Sequence, residues 1–310
     1  MERGRFAPSP SGRMHLGNLL AALLAWLDVR HVGGIMALRM EDLDPDRCKE
    51  EYAAQVARDL EWLGLDWDEG YGAGGPHGPY RQSERFDIYE EYFRGLEKKG
   101  LTYPCYCTRA ERLAVSAPHL GENRDFYDGR CRRRPAEELE ALSQTRKPAQ
   151  RVVAPTKRVE FTDGLQGRFG ENLAADCGDF IVRRSDGVWA YQLAVTVDDG
   201  LMGVTEVVRG QDLLSSTPRQ IWLLEEMGFV PPSYTHVPLL LSADGRRLSK
   251  RDRDMDLSVL RESKTAEEIV GELAFLCGLL PEKMPITPTE LIPHFSWEKM
   301  KGSNLTVYTG

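Results

Sequence analysis

The stretch "RFAPSPSGRMHLGNLLAALLAWLD", residues 5–28, constrains this chain more than any other. A short strand candidate, "GRFA", runs into a Pro/Ser/Gly loop over 8–12. An apolar run over 19–26 follows, dense enough for a buried helix. Strand, glycine-bearing loop and bare helix start together make an anion site. Backbone N–H groups lack partners there, and the positive end of the helix dipole favours phosphate. Gly17 admits close approach of a ligand or a backbone. His15 offers a hydrogen-bond donor to a phosphoryl oxygen as charge develops. The alternative is a histidine that caps the helix or fills the core beside the turn.

Downstream, "GGIMALRMEDLD" predicts a second strand over 35–40 that ends in an acidic turn. "DPDRCKEEYAAQVARDLEWLGL" predicts an amphipathic helix with Pro45 near its start. "RQSERFDIYEEYFRGLEKKG" predicts another, closed by Gly100. This alternation implies an α/β fold whose parallel sheet has crossover helices. From Leu101 to about Arg184 the chain turns rich in Cys, Arg and turn residues, with a short strand candidate over 151–154, and reads as an inserted module. "GVWAYQLAVTVDD" and "VTEVVRG" are apolar and β-branched, and predict strands. "STPRQIWLLEEMGF" predicts a helix capped by Ser216 or Thr217, with Pro218 at its first position. Helical patches and a Pro-rich tail follow Leu257.

Composition bounds the function. The 310 residues suffice for one large domain or two smaller ones, and nothing reads as a transmembrane helix or a signal segment. The net charge of -8 argues against a broad basic surface for nucleic acid. RNA binding would need a local patch, and "GRCRRRP" and "DGRRLSKRDR" are the dense basic runs. Cysteine usage suits a reducing compartment, hence the cytoplasm. Cys105 and Cys107, with Cys131 some two dozen residues on, suit a structural zinc. The fourth ligand position is open to Tyr127 or His119, and the alternative is three free thiols in a core. Cys48, Cys177 and Cys277 stand apart and read as structural.

Late in the chain, Lys250 lies in the polar run "GRRLSKRD", where a lysine can meet nucleotide phosphates as a point charge. Taken together, "RFAPSPSGRMHLGN", "RMEDLD" and "RRLSKRD" resemble the glutamyl class I aminoacyl-tRNA synthetases. His15-Leu16-Gly17-Asn18 is similar to the first signature of that class, with Asn18 in place of a second histidine. Arg247-Leu248-Ser249-Lys250-Arg251 is similar to the second, with arginines at its ends.

The resemblance implies a Rossmann-type sheet split by a zinc-containing insert, with a short helical C-terminal region. The divisions fall at 1–100 and 185–256 for the two halves of the nucleotide-binding domain, 101–184 for the insert and 257–310 for the tail. It implies ATP and Mg²⁺. His15 and Lys250 would be catalytic, and His15, Gly17, Asn18, Ser249 and Lys250 would contact ATP. Arg5, Ala7, Ser9, Glu41, Tyr191 and Arg209 would contact L-glutamate, although Arg5 and Glu41 could instead pair with each other. About 55 residues follow Leu257, too few for the helical anticodon-binding domain of a glutamyl-tRNA synthetase. The resemblance is therefore to a truncated paralogue, the glutamyl-queuosine tRNA(Asp) synthetases. Their Tyr-x-x-x-Cys spacing favours Tyr127 as the fourth zinc ligand. Their partner is the anticodon stem-loop of tRNA(Asp), met by a monomer away from any membrane; the alternatives are a short glutamyl-tRNA synthetase that charges a tRNA 3′ end and an enzyme that adenylates a small molecule without RNA.

Overall fold

A computed structural model describes residues 1–108, 126–242, 245, 256–300 and 302–307. At its centre is a five-stranded sheet in the order β10-β9-β1-β2-β3. Its strands are β1 (Arg3–Phe6), β2 (Ile35–Leu38), β3 (Glu69–Gly70), β9 (Glu206–Gly210) and β10 (Ser233–Val237), and every pairing is parallel. The strand at the N-terminus is central, flanked by one strand from each half of the chain. Loops leaving β1, β2 and β9 therefore meet at one edge, where an open α/β sheet binds ligands.

Helix α1 (Leu16–Arg30) is built from Leu and Ala and is buried almost all round, with Leu19, Leu20, Leu23, Leu24 and Leu27 each at most 1% exposed. Each such leucine contributes about 1.5–3 kcal/mol by leaving water. Gly4 lets α1 lie close against β1, since a Cβ there would meet Val29 Cγ2 at 2.3 Å. Helix α2 (Glu50–Leu63) buries Ala53, Val56, Leu60 and Leu63, one face at helical spacing, and Gly64 ends it at φ 78°. The helix begins five residues after Pro45, not near it. Residues before Glu50 are held as a turn by Asp44 carbonyl bonds, and the Lys49 N–H donates to the Pro10 carbonyl, which pins the segment to the first loop. Helix α3 (Phe86–Lys98) matches expectation, with Gly100 at φ 69° just beyond it.

The segment after α3 builds a second, antiparallel sheet from β4 (Thr102–Cys105), β5 (Ala149–Val152) and β8 (Phe180–Arg183), and a hairpin of β6 (Arg158–Asp163) and β7 (Gly167–Asn172). The strand expected over 151–154 is β5, two residues earlier. Between β4 and β5, helix α4 (Ala136–Ser143) buries none of its residues. Val152, Val159, Leu173, Phe180 and Val182 of this segment share one apolar cluster with Tyr89 and Phe93 of α3, and with Leu193, Trp222 and Tyr234.

The largest departure from the sequence reading is "YQLAVTVDDGL", which forms helix α5 (Tyr191–Leu201) rather than a strand. Seven consecutive residues, Leu193 to Asp199, are buried, so no polar face betrays a helical period. Tertiary packing overrides the β-branched propensity, and the Thr196 hydroxyl bonds back to the Gln192 carbonyl at 2.6 Å. Helix α6 (Thr217–Met227) follows β9 as expected, with Ser216 at the N-cap position but making no side-chain cap bond, and with Pro218 second in the helix rather than first. Helix α7 (Ala266–Cys277) opens on a Thr265–Glu268 capping box and packs in the same core as α1 and α2. No helix among the described residues is long and apolar enough to cross a membrane.

Candidate active site

A cleft of about 460 Å³ opens at the C-terminal edge of β1 and β9. It brings together Arg5, Ala7, Ser9, His15, Gly17, Asn18, Glu41, Tyr191 and Arg209, every described residue that the sequence singled out for nucleotide or amino acid. Ser249 and Lys250 lie outside the described residues, as does His119. The chain that follows that stretch lands on the first loop. Asp256 forms a β-bridge with His15, and the Leu257 N–H donates to the Met14 carbonyl. Two segments some 240 positions apart in sequence thus meet at one wall.

The helix start is not bare, contrary to expectation. His15 Nδ1 accepts the Gly17 N–H at 3.1 Å, and Asn18 Oδ1 accepts the His15 N–H at 3.1 Å, a capping box. The capping alternative for His15 is therefore correct. It also assigns the neutral ring's proton to Nε2, which makes that edge a donor. Asn18, the departure from the class pattern, holds the loop.

The floor of the cleft is ionic. Arg5 does not pair with Glu41; its Nε lies 3.3 Å from Asp199 Oδ1. Arg39, wholly buried, donates to the same oxygen at 2.8 Å and to Glu41 Oε1 at 3.2 Å. Burial opposes ionisation of Asp199, yet Arg5 and Arg39 hold its carboxyl below the usual range. Burial pushes the Glu41 carboxyl above its usual range, against the pull of Arg39 and Arg5. Beneath, Asp198 accepts from Arg85 Nε at 2.7 Å, Gln82 Nε2 at 2.8 Å and Tyr89 Oη at 2.9 Å, which ties α3 to α5.

Arg209 is different. Its donors go to His236 Nε2 at 3.0 Å, Thr217 Oγ1 at 2.8 Å and the Tyr191 hydroxyl at 3.3 Å, and among the described residues it forms no ion pair with a carboxylate. A buried guanidinium bonded to neutral groups in a cleft wall suits an anionic ligand. Sequence reasoning missed Arg39, Asp199, Asp163 and His236. The "DD" pair at 198–199 was the available signal, hidden by the strand reading of α5.

Away from the cleft, the Cys105, Cys107 and Cys131 sulfurs lie within 4.8 Å of one another. Tyr127 Oη sits 3.4 Å from Cys105 Sγ and 3.2 Å from Cys107 Sγ, and accepts the Cys131 N–H at 3.1 Å. The Arg151 guanidinium stacks 3.7 Å from the Tyr127 ring centroid, a cation beside the phenol. Three thiols and an oxygen converging this closely fit the donor set of tetrahedral zinc. The nearby basic run is largely engaged with acids: Arg130 and Arg133 with Asp128, Arg132 with Asp179, Arg134 with Glu138.

Comparison with known proteins agrees with this layout. The family model of the catalytic domain of class I tRNA synthetases (E and Q) matches residues 2–301. A glutamyl-Q tRNA(Asp) synthetase of Symbiobacterium thermophilum is 50% identical over 298 residues, covering 94% of this chain and 91% of that relative. One from Nitratidesulfovibrio vulgaris is 50% identical over 295 residues, with the same coverage. The crystal structure of a glutamate tRNA ligase from Elizabethkingia meningosepticum in complex with its amino acid superposes with a TM-score of 0.83 at 29% identity; it covers 98% of this chain, which spans 66% of that one. With the parallel sheet, the strand-loop-helix at its centre and the ionic cleft, these matches make the chain a member of the class I tRNA synthetases (E and Q).

Proposed function

We propose that the protein activates L-glutamate with ATP and transfers the glutamyl group to the queuosine base in the anticodon of tRNA(Asp). The observation that carries the reading is the 50% identity, over nine-tenths of their length, to relatives named for this activity. In the first step an α-carboxylate oxygen of glutamate attacks the α-phosphorus of ATP and pyrophosphate leaves. In the second, a hydroxyl of the queuosine cyclopentene ring attacks the acyl carbon and AMP leaves. Neither step needs a protein nucleophile; the chain positions the reactants and stabilises charge.

In this reading Arg209 and Arg5 meet the side-chain carboxylate, with Tyr191 alongside, and Glu41 meets the ammonium. Ala7 and Ser9 contribute the loop wall. Gly17 and Asn18 shape the phosphate cradle, where His15 Nε2 donates to a phosphoryl oxygen. Ser249 and Lys250 complete the ATP contacts, and Mg²⁺ accompanies the phosphates. Residues 1–100 and 185–256 form the split nucleotide-binding domain, 101–184 the insert and 257–310 the tail. Cys105, Cys107, Tyr127 and Cys131 would hold a zinc whose contribution is to folding of the insert. The first anticodon base leaves its stack to reach the cleft. Arg132 and Arg133, 42% and 61% exposed despite their acidic neighbours, contact stem phosphates. The protein acts as a cytoplasmic monomer.

Incubation with ATP, labelled glutamate and separate tRNA species tests this. Label should appear on queuosine-containing tRNA(Asp) and not on the same tRNA lacking queuosine. Label on the 3′ end of tRNA(Glu) would instead identify a short glutamyl-tRNA synthetase.

A further inference from the structure

Among the described residues, the β6–β7 hairpin reaches Arg209 in the cleft wall through His236. Asp163, the last residue of β6, is 3% exposed. Its Oδ1 accepts three backbone N–H groups: Leu165 at 3.0 Å, Gln166 at 2.9 Å and His236 at 3.1 Å. Its Oδ2 lies 2.5 Å from Nδ1 of His236, which is fully buried in β10. The other ring nitrogen, Nε2, lies 3.0 Å from Arg209 Nε. Arginine always carries a proton at that position, so Nε2 must offer a lone pair. The ring proton then sits on Nδ1 and is donated to Asp163. Asp163 and Arg209 demand the same tautomer, and the Thr217 hydroxyl, 3.2 Å from the same Nε2, can donate to that lone pair as well. Burial keeps His236 below its usual pKa, against the pull of Asp163 and with the Arg209 charge adding, so the ring stays neutral.

We propose that Asp163 is a positioning residue that fixes the His236 tautomer and thereby aims Arg209 at the substrate's side-chain carboxylate. The proposal rests on the reading of Arg209 as a substrate contact. With Nε held by His236 and one terminal nitrogen by Thr217, the guanidinium plane is set before substrate arrives. Its remaining donors lie toward Tyr191 and the cleft. Preorganisation of this kind sharpens the choice of a carboxylate over an amide. A hairpin of the insert, not only the nucleotide-binding halves, then takes part in amino-acid selection.

Asp163→Asn is nearly isosteric. Three backbone donors keep the amide oxygen at the Oδ1 position, so the amide NH₂ faces Nδ1. The ring proton must move to Nε2, where it meets the Arg209 Nε–H donor to donor. In glutamate-dependent pyrophosphate exchange, KM for glutamate should rise about tenfold or more while KM for ATP stays within about twofold. Preference over glutamine should fall in parallel. In a His236→Gln background there is no ring to re-protonate, so Asp163→Asn should raise the glutamate KM no further. Histidine ¹⁵N spectra should show His236 with Nδ1 protonated in the parent protein and Nε2 protonated in Asp163→Asn.

An unchanged glutamate KM in Asp163→Asn, or an equal rise with and without the ring, would overturn the proposal. So would a parent spectrum with the proton on Nε2, a result available even if a variant fails to fold. Failure of the parent protein to exchange pyrophosphate with glutamate would sink the glutamate reading itself, leaving the spectra to judge the Asp163–His236 link.

Discussion

Asp199 Oδ1 lies 3.3 Å from Arg5 Nε, joining the last turn of α5 to the central strand beneath the cleft. The same oxygen holds Arg39 at 2.8 Å. Asp199→Ala would leave two buried guanidiniums short of a counterion, at a cost of about 3–5 kcal/mol. Urea unfolding should show that loss at pH 7, together with a raised KM for glutamate. Because the Asp199 carboxyl is held below its usual range, its stabilisation is present above about pH 4 and lost as pH falls through its folded value. The stability difference between parent and variant should therefore shrink on acidification below pH 4. A difference constant with pH would mean that Asp199 acts through packing alone.

Lys250→Ala should slow adenylate formation by about 10²–10³, or roughly 2–4 kcal/mol of barrier, by removing a charge contact made as the pyrophosphate bond breaks. The thermal midpoint should stay near that of the parent. Pyrophosphate exchange at the parental rate would show that "RRLSKRD" is a solvated basic stretch.

Elemental analysis of the purified protein should find one zinc per chain. Cys107→Ser should release it and loosen residues around β4 and Tyr127, while the parallel sheet keeps its hydrogen-exchange protection. Three freely titrating thiols in metal-free protein would count against the site.

Glu206 opens β9 at the opposite end of the sheet from the cleft, and burial, with Asp28 and Glu2 adding, pushes its carboxyl up to about 7. Its folded value lies above its unfolded one, so the charged form is disfavoured in the fold above pH 7. Falling pH relieves that penalty. Glu206→Gln should therefore raise the thermal midpoint at pH 8, and by much less at pH 5. Equal shifts at both values would remove the electrostatic explanation.

The strand, loop and helix start at the head of the cleft were legible because their residues are bound by local chemistry. A strand, a glycine-bearing loop and a helix start announce themselves within two dozen positions. Arg5, Glu41 and Arg209 were legible through resemblance, since the sequence alone left pairing between Arg5 and Glu41 open. Their real partners, Asp199, Arg39 and His236, come from elements distant in the chain, and long-range pairing leaves no periodic trace. The misreading of α5 has the same origin. A helix buried on all sides shows an apolar β-branched run, and only the fold decides its conformation. Pro45 misled because a tertiary bond to the Pro10 carbonyl delays the helix to Glu50.

An insertion in sequence need not be an insertion in folding. Val152, Val159, Phe180 and Val182 lie in one apolar cluster with Tyr89, Leu193 and Trp222, which flank the segment on both sides. Cutting out residues 101–184 would strip that shared cluster from both pieces and leave each with an open apolar wall. The segment is therefore a poor cassette: a chimaera that exchanges it with a relative must carry over α3, α5 and α6 as well, and such a unit should melt in one step with the rest of the chain.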